Sequence, residues 1–287
     1  MFSDTHFHFH HLIEDGLDGA EILSQLVERN TFFGLDIGTK CDDLLKRHVQ
    51  FQETFAKMQP GIREEASEMI YYSAGIWPDV DEIKNRVESV KKLTDSIETF
   101  MDKSHLVAIG ECGLDHHWNP NGVDGRCESD FDQNIYEGEK ELFQMQIEFA
   151  RKMNLPVIIH SRDAFEDTLD CIKNMGYHNG IIHCFSYGKE EARQFLDLGW
   201  YIAFGGGVTY TKKAKMEEMQ DLLRFVPENR ILMETDSPYL APVPFRGQIN
   251  TPVLIEHCYS FVAQARGMLM SELSVLVDRN IRELFKL

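Results

Sequence analysis

Short runs rich in β-branched and aromatic residues recur along the chain, separated by polar stretches of helical spacing. The runs are FSDTHF at 2–7, TFFGLDI at 31–37, MIYYSAGI at 69–76, HLVAIGE at 105–111, LPVIIH at 155–160, GIIHC at 180–184, WYIAFGG at 200–206 and RILMETD at 230–236. Each has the length and composition of a buried strand. Residues 81–104 and 137–154 read as helices. In the second, Leu142, Met145, Ile147 and Phe149 fall near helical spacing with charges between them. Strands and helices alternating in this way predict a parallel α/β sheet, and eight repeats favour its closed form, a (β/α)8 TIM barrel. Two stretches exceed a minimal barrel. Residues 41–68 read as an extended helix and loop, and the turn-rich 116–133 as a long loop after the fourth strand. No linker or internal repeat divides the sequence, so residues 1–287 read as a single domain.

The barrel reading gives meaning to the polar residues that close each run, because the C-terminal strand ends of such a barrel face the active site. Strand one ends in Asp4-Thr5-His6-Phe7-His8, strand four in Gly110-Glu111, strand five in His160, strand six in His183 and strand eight in Glu234-Thr235-Asp236. A strand's period of two sends His6 and His8 to one face. Singly, these residues mean little. A lone strand-end histidine is more often a hydrogen-bonded structural residue, Glu111 could be an ion-pair partner, and Asp236 could cap a turn. Together, His6, His8, Glu111, His160, His183 and Asp236 converge on one end of one barrel. Four imidazoles and two carboxylates in one cavity call for cations, and two divalent metals sharing a bridging carboxylate would use all six. His10 and His11 lie past the strand and read as polar loop residues beside the site.

Composition narrows the reading further. Hydrophobic residues make up 43% and charged residues 26% of the 287, as expected of a globular chain with a full core. The formal net charge of −18 argues against a broad basic surface for nucleic acid, though it leaves room for a local cationic pocket. No apolar run reaches the roughly 18 residues that span a bilayer, and no signal peptide opens the chain, so no membrane association is expected. The six cysteines are scattered without a CxxC pair, which predicts free thiols and a cytoplasmic setting. Nothing in the sequence indicates an obligate protein partner.

The segments SDTHFH (3–8), AIGECGLD (108–115), LPVIIHSRDAF (155–165), IIHCFS (181–186) and ILMETDSPYLAPVPFRGQINTP (231–252) fall in order across nearly the whole chain. In these segments the sequence resembles the TatD family of metal-dependent hydrolases, the TatD-type deoxyribonucleases within the amidohydrolase-like barrels. The resemblance implies that His6, His8 and Asp236 bind a first metal, that Glu111 bridges to a second, and that His160 and His183 complete the second. It implies phosphodiester hydrolysis by metal-activated water, with Asp236 as proton acceptor and donor. The substrate would be nucleic acid, in the manner of a 3'-5' exonuclease on single-stranded DNA or RNA ends. The family is described as magnesium-dependent, yet imidazole-rich sites favour zinc, manganese, cobalt or iron. A transition metal is therefore expected in the purified protein.

The residues around this set read less sharply. Arg162 follows His160 by two and suits a phosphate, with an ion pair to Asp163 or Glu166 as the alternative. Arg246 is a second phosphate candidate or a loop anchor. Asn250 reads as ordering that loop. Glu234 and Asp4 stand two positions before Asp236 and His6, and read as supports that hydrogen-bond the ligands. Lys212, Lys213 and Lys215 form a basic cluster after strand seven, solvated or guiding a polyanion. The family pattern GxHP at the end of strand three is here Gly75-Ile76-Trp77-Pro78. Trp77 offers a surface to stack a base, or packs under a loop. With the 116–133 loop and His116-His117, this departure keeps a second reading open: an ester or amide hydrolase such as a D-aminoacyl-tRNA deacylase. A third reading, a barrel kept only for binding, would predict an eroded ligand set, and the set is intact.

Overall fold

The computed structural model describes residues 2–122 and 125–287. The strands are β1 (Asp4–Phe7), β2 (Gly34–Asp36), β3 (Ile70–Ala74), β4 (Leu106–Asp115), β5 (Val157–Arg162), β6 (Gly180–Ile182), β7 (Tyr201–Phe204) and β8 (Ile231–Met233). They form one parallel sheet in sequence order, and a bridge between Phe7 and Ser237 ties its two edges. The result is the expected (β/α)8 barrel. The helices on its outside are α1 (Phe9–Glu14), α2 (Gly19–Glu28), α3 (Leu44–Phe55), α4 (Pro60–Met69), α5 (Val80–Lys84), α6 (Arg86–Thr99), α7 (Gln133–Met153), α8 (Phe165–Met175), α9 (Lys189–Asp197), α10 (Met216–Phe225), α11 (Ile255–Arg266) and α12 (Met270–Phe285).

Local chemistry sets these elements. Strands covered on both faces read as continuous apolar runs, and Val157, Ile158 and Ile159 of β5 are fully buried. Helix α7 starts where the Asp132 side chain accepts from the Ile135 N–H. It ends where Asn154 turns left-handed at φ 53°. Its inward face buries Leu142, Phe143, Ile147 and Ala150 against the barrel.

Three sequence boundaries shift. The single helix expected over 81–104 is two, α5 and α6, which meet at Asn85, a residue that favours caps over helix interiors. Residues 41–68 hold two helices, α3 and α4, the second opened by Pro60 in its first turn. Strand β4 does not end at Glu111 but runs on to Asp115. It can do so because Gly113, at φ 151°, packs flat on β5, where a Cβ would lie 1.9 Å from the His160 carbonyl oxygen. Of the loop expected over 116–133, Val123 and Asp124 lie outside the described residues; its remainder carries a short 3-10 turn at Glu128–Asp130.

Candidate metal centre

Two irregularities in the ladder aim the polar residues. Between β4 and β5 the register runs Gly110 to Ile158 and then Cys112 to Ile159, so Glu111 is the extra residue of a bulge. Its N–H donates instead to the Gly38 carbonyl at 2.8 Å. Bulges of this kind re-aim a side chain without ending the strand. A similar shift lies between Asp4 and Phe7 of β1, around His6. Asp236 follows β8 in a left-handed backbone conformation (φ 55°), its N–H bonded to the His6 carbonyl across the closing seam at 2.8 Å. A non-glycine residue held there is strained by about 1–3 kcal/mol, a cost that concentrates at functional sites.

The side chains meet at the barrel mouth. The Nε2 atoms of His6 and His8 are 3.3 Å apart. Glu111 Oε2 is 3.4 Å from His6 Nε2 and 3.7 Å from His8 Nε2, and Asp236 Oδ1 is 3.6 Å and 3.4 Å from the same two nitrogens. On the other side, Glu111 Oε1 is 2.9 Å from His160 Nδ1 and 3.1 Å from His183 Nε2, which are themselves 3.2 Å apart. One carboxylate thus presents one oxygen to each of two donor groups.

These spacings fit metal ligation. Four donors each about 2.1 Å from a zinc-sized ion stand about 3.4 Å apart along the edges of a tetrahedron. The first group, His6, His8, Glu111 and Asp236, has five measured edges between 3.3 and 3.7 Å. The donor atoms of His6, His8 and Asp236 are close enough for one ion, and those of His6, Glu111 and His183 are likewise close-set.

Electrostatics point the same way. Burial opposes charge on every member. Yet the His183 charge and hydrogen bonds from the surrounding imidazoles hold the Glu111 carboxyl well below the usual range. Burial would likewise raise Asp236, but its contact with His8 and the nearby His6 and His183 keep it low. His160 is lifted to about 9, against burial, by Asp115 and Glu111. Without a cation, this cavity balances its carboxylates by protonating imidazoles. A divalent ion satisfies the same carboxylates and leaves the imidazoles neutral.

Comparison with known proteins identifies the lineage. The sequence profile of TatD related DNase matches residues 3–286. The chain belongs to the TatD family. It is 31% identical to the "uncharacterized metal-dependent hydrolase YabD" of Bacillus subtilis, over the full length of both chains. It is 28% identical to the "3'-5' ssDNA/RNA exonuclease TatD" of Pantoea vagans, over 83% of this chain and 84% of the relative. Among solved structures, the TatD homologue YjjV of Escherichia coli superposes with a TM-score of 0.79 at 25% identity, covering 100% of this chain and 98% of that one. Its TatD relatives are metal-dependent hydrolases, and the close-set cluster gives this chain a place to bind divalent metal.

Around this TatD centre the supports are not those expected. Asp4 does not reach the His6 ring. Its carboxylate accepts from the backbone N–H of His6 (3.1 Å) and Thr235 (3.0 Å) and from the Thr235 hydroxyl (2.6 Å), locking the β1–β8 seam. Glu234 Oε1 stands 3.7 Å from His183 Nδ1, too far for a hydrogen bond, and accepts from the Cys184 N–H at 2.5 Å. A backbone donor beside each carboxylate captured it first.

Asp115 does the orienting instead. Its Oδ2 accepts from His160 Nε2 at 2.9 Å, which turns Nδ1 towards Glu111. The sequence held the signal, since Glu111, Gly113 and Asp115 alternate along a strand that the reading stopped too early. Asp115 is in turn held by the buried Glu139, which also receives His116 Nε2 (3.0 Å) and Arg126 (2.5 Å). The strand-two carboxylate Asp36 was missed as well. Fully buried, it pairs with Arg47 and accepts from the Phe9 N–H at 3.0 Å, fixing the turn just after His8.

The outer candidates divide. Trp77 is half-buried, edge-on to His160 with ring centroids 6.0 Å apart, and backed by the Arg126 guanidinium at 5.4 Å. It packs on the loop and borders the centre at once. Arg162 ends β5, half-buried and near enough to Cys184 for its charge to be felt there. Asp163, the partner suggested for it, binds His117 at 2.8 Å. Arg246 is exposed and stacks on Tyr210, 4.6 Å from the ring centroid. Asn250 orders the loop through the Thr235 and Tyr239 carbonyls. His10 and His11 are not loop residues. They open α1, with the His11 ring 5.3 Å from that of His8 and bonded to the Tyr239 hydroxyl at 3.1 Å.

Proposed function

We propose that this TatD protein is a two-metal phosphodiesterase that trims the ends of single-stranded DNA or RNA. The observation that carries the reading is the divided carboxylate of Glu111, one oxygen facing His6, His8 and Asp236, the other facing His160 and His183. In this reading His6, His8 and Asp236 hold one ion, His160 and His183 the other, and Glu111 both. When bound, divalent ions held there would polarise the phosphate and make water easier to deprotonate.

The chain's own residues do the rest. Asp236 and His160 are the most accessible members, each at 14% side-chain exposure, and of the two only Asp236 is a carboxylate. As a carboxylate, it can take the proton from the attacking water and pass it to the departing oxygen. Asp115 keeps His160 in one tautomer throughout. Trp77, Arg162 and Arg246 border the mouth, where an aromatic face and planar guanidinium groups suit bases and phosphates. An imidazole-rich donor set favours zinc, manganese, iron or cobalt over magnesium. All six cysteines are free thiols, and among the described residues no helix is long and apolar enough to cross a membrane. Both support a reducing, cytoplasmic setting.

The test joins metal analysis to a substrate panel of single-stranded DNA, single-stranded RNA, D-aminoacyl-tRNA and simple esters. Chelator-sensitive shortening of the strands, lost in the His6→Ala and Asp236→Ala variants, is the expected result. Strands left intact at high enzyme concentration with each divalent metal, while an ester is turned over, would replace this reading with the ester hydrolase.

A further inference from the structure

The acidic charge of this chain is not evenly spread. Residues 205–216 and 237–255, the loops that follow β7 and β8, contain no Asp or Glu, in a chain whose acids outnumber its bases 47 to 29. The same two segments carry Lys212, Lys213, Lys215 and Arg246, all exposed. The next acids, Glu217 and Glu218, sit in the first turn of α10, where the helix N-terminus favours them.

These two loops are bonded to each other. The Thr209 hydroxyl donates to the Gly206 carbonyl (2.6 Å) and accepts from the Val243 N–H (3.0 Å). The Tyr210 hydroxyl donates to the Ala241 carbonyl. Gly206 lies so close to the other loop that a Cβ would come 1.8 Å from the Leu240 carbonyl oxygen. Arg246 is laid over the Tyr210 ring, which joins the basic group of one loop to the base of the other. The wall starts at the metal centre itself. Asp236 directly precedes its second half, and Gly205, at the start of its first, packs against Glu234 beside His183.

The opposite side of the mouth has the reverse charge. The segments after β3 and β4 carry Asp79, Asp81, Glu82, Glu128 and Asp130 against Lys84, and Arg126 among them is paired with Glu139. A polyanion leaving the centre is therefore attracted along one side and repelled from the other. We propose that the β7–β8 wall is the track for the sugar–phosphate backbone of a single strand, with Lys212, Lys213, Lys215 and Arg246 as its contacts. The inference rests on the nucleic-acid reading above and adds the direction in which the strand runs.

The test is equilibrium binding of the metal-loaded protein to labelled, phosphorothioate-linked oligothymidylate and oligouridylate across a salt series, read by fluorescence anisotropy. Each single-strand phosphate neutralised contributes about 0.7 to the slope of log affinity against log salt, so losing three contacts lowers the slope by about 2. The triple variant Lys212→Gln/Lys213→Gln/Lys215→Gln is expected to show that drop and at least tenfold weaker binding at low salt, for both strands. A control that removes as much charge elsewhere, Lys91→Gln/Lys92→Gln/Lys103→Gln, is expected to bind as the wild type does. An unchanged slope in the first variant, an equal loss in the control, or no binding by the wild type overturns the track. Binding that depends on these lysines without cleavage of ordinary phosphodiester strands upholds the track and overturns the catalytic reading alone.

Discussion

Replacing Asp115 by Asn tests how the second metal position is held. The substitution keeps side-chain shape and removes one charge from a buried carboxylate that accepts from His160 Nε2 at 2.9 Å and from the His117 N–H at 2.8 Å. Against the opposing effect of burial, the hydrogen bond to Asp115 is the largest support for the elevated affinity of His160 for a proton. The same push makes Nδ1, which faces Glu111, a better donor to a cation. Loss of such a partner behind a ligating histidine costs 10–100-fold in metal affinity, or about 1.4–2.8 kcal/mol. The loss should be confined to one of two ions, because His6, His8 and Asp236 make no contact with Asp115. Competition with a calibrated zinc chelator should show two tight sites in the wild type, and in Asp115→Asn one tight and one weakened. Two sites of unchanged affinity would refute the argument that Asp115 fixes the His160 tautomer. Equal weakening of both would show that the two donor groups are not separable.

Other perturbations follow from the same contacts. Arg47 is 2% exposed and pairs with Asp36 and Asp43, so Arg47→Met strands a buried carboxylate and should cost about 3–5 kcal/mol in urea unfolding. Removing metal with a chelator should lower the thermal midpoint, by several degrees or more, because Glu111 and Asp236 then depend on protonated imidazoles for balance; an unchanged midpoint would argue against ligation by these residues. Trp77→Ala should raise KM for oligonucleotides several-fold while leaving turnover of a small phosphodiester within about twofold, since one stacked base contributes about 1–3 kcal/mol. Equal losses on both substrates would show Trp77 acting through His160 and not through a base.

What the sequence made legible was what depends on period and topology. All eight strands overlap the β-rich runs that predicted them, because strands covered on both faces are mostly apolar and their buried polar residues serve the barrel mouth and its seam. The convergence of His6, His8, Glu111, His160, His183 and Asp236 followed from the rule that βα strand ends share one face, and the structure brings all six together. What was not legible depends on backbone detail. The alternation of Glu111, Gly113 and Asp115 was in the sequence, but not the bulge at Glu111 or the flat packing of Gly113 on β5 that let the strand run on and bring Asp115 to His160. Spacing alone suggested Asp4 and Glu234 for that kind of support. Spacing does not say that a backbone N–H stands nearer to each carboxylate than any imidazole does.

The same distinction separates the centre from its surroundings. Of the six clustered residues, His6, Glu111 and His160 lie within strands, and His8, His183 and Asp236 follow just after them, their N–H groups bonded to the Ser237, Ile159 and His6 carbonyls, so a shift of any would disturb the sheet. The outer shell is carried by loops whose chemistry is set by pairs: Arg126 with Glu139, Arg246 with Tyr210, Thr209 with Val243. Two of these pairs join loops distant in sequence and the first ties a loop to α7, so neither member means much when read alone. Net charge misleads for the same reason. A value of −18 speaks against a polyanionic substrate only if the charge is spread evenly, and the barrel gathers two acid-free loops at one side of the mouth. Folding, by placing β7 beside β8, turns two unremarkable segments into one basic wall next to the metal centre.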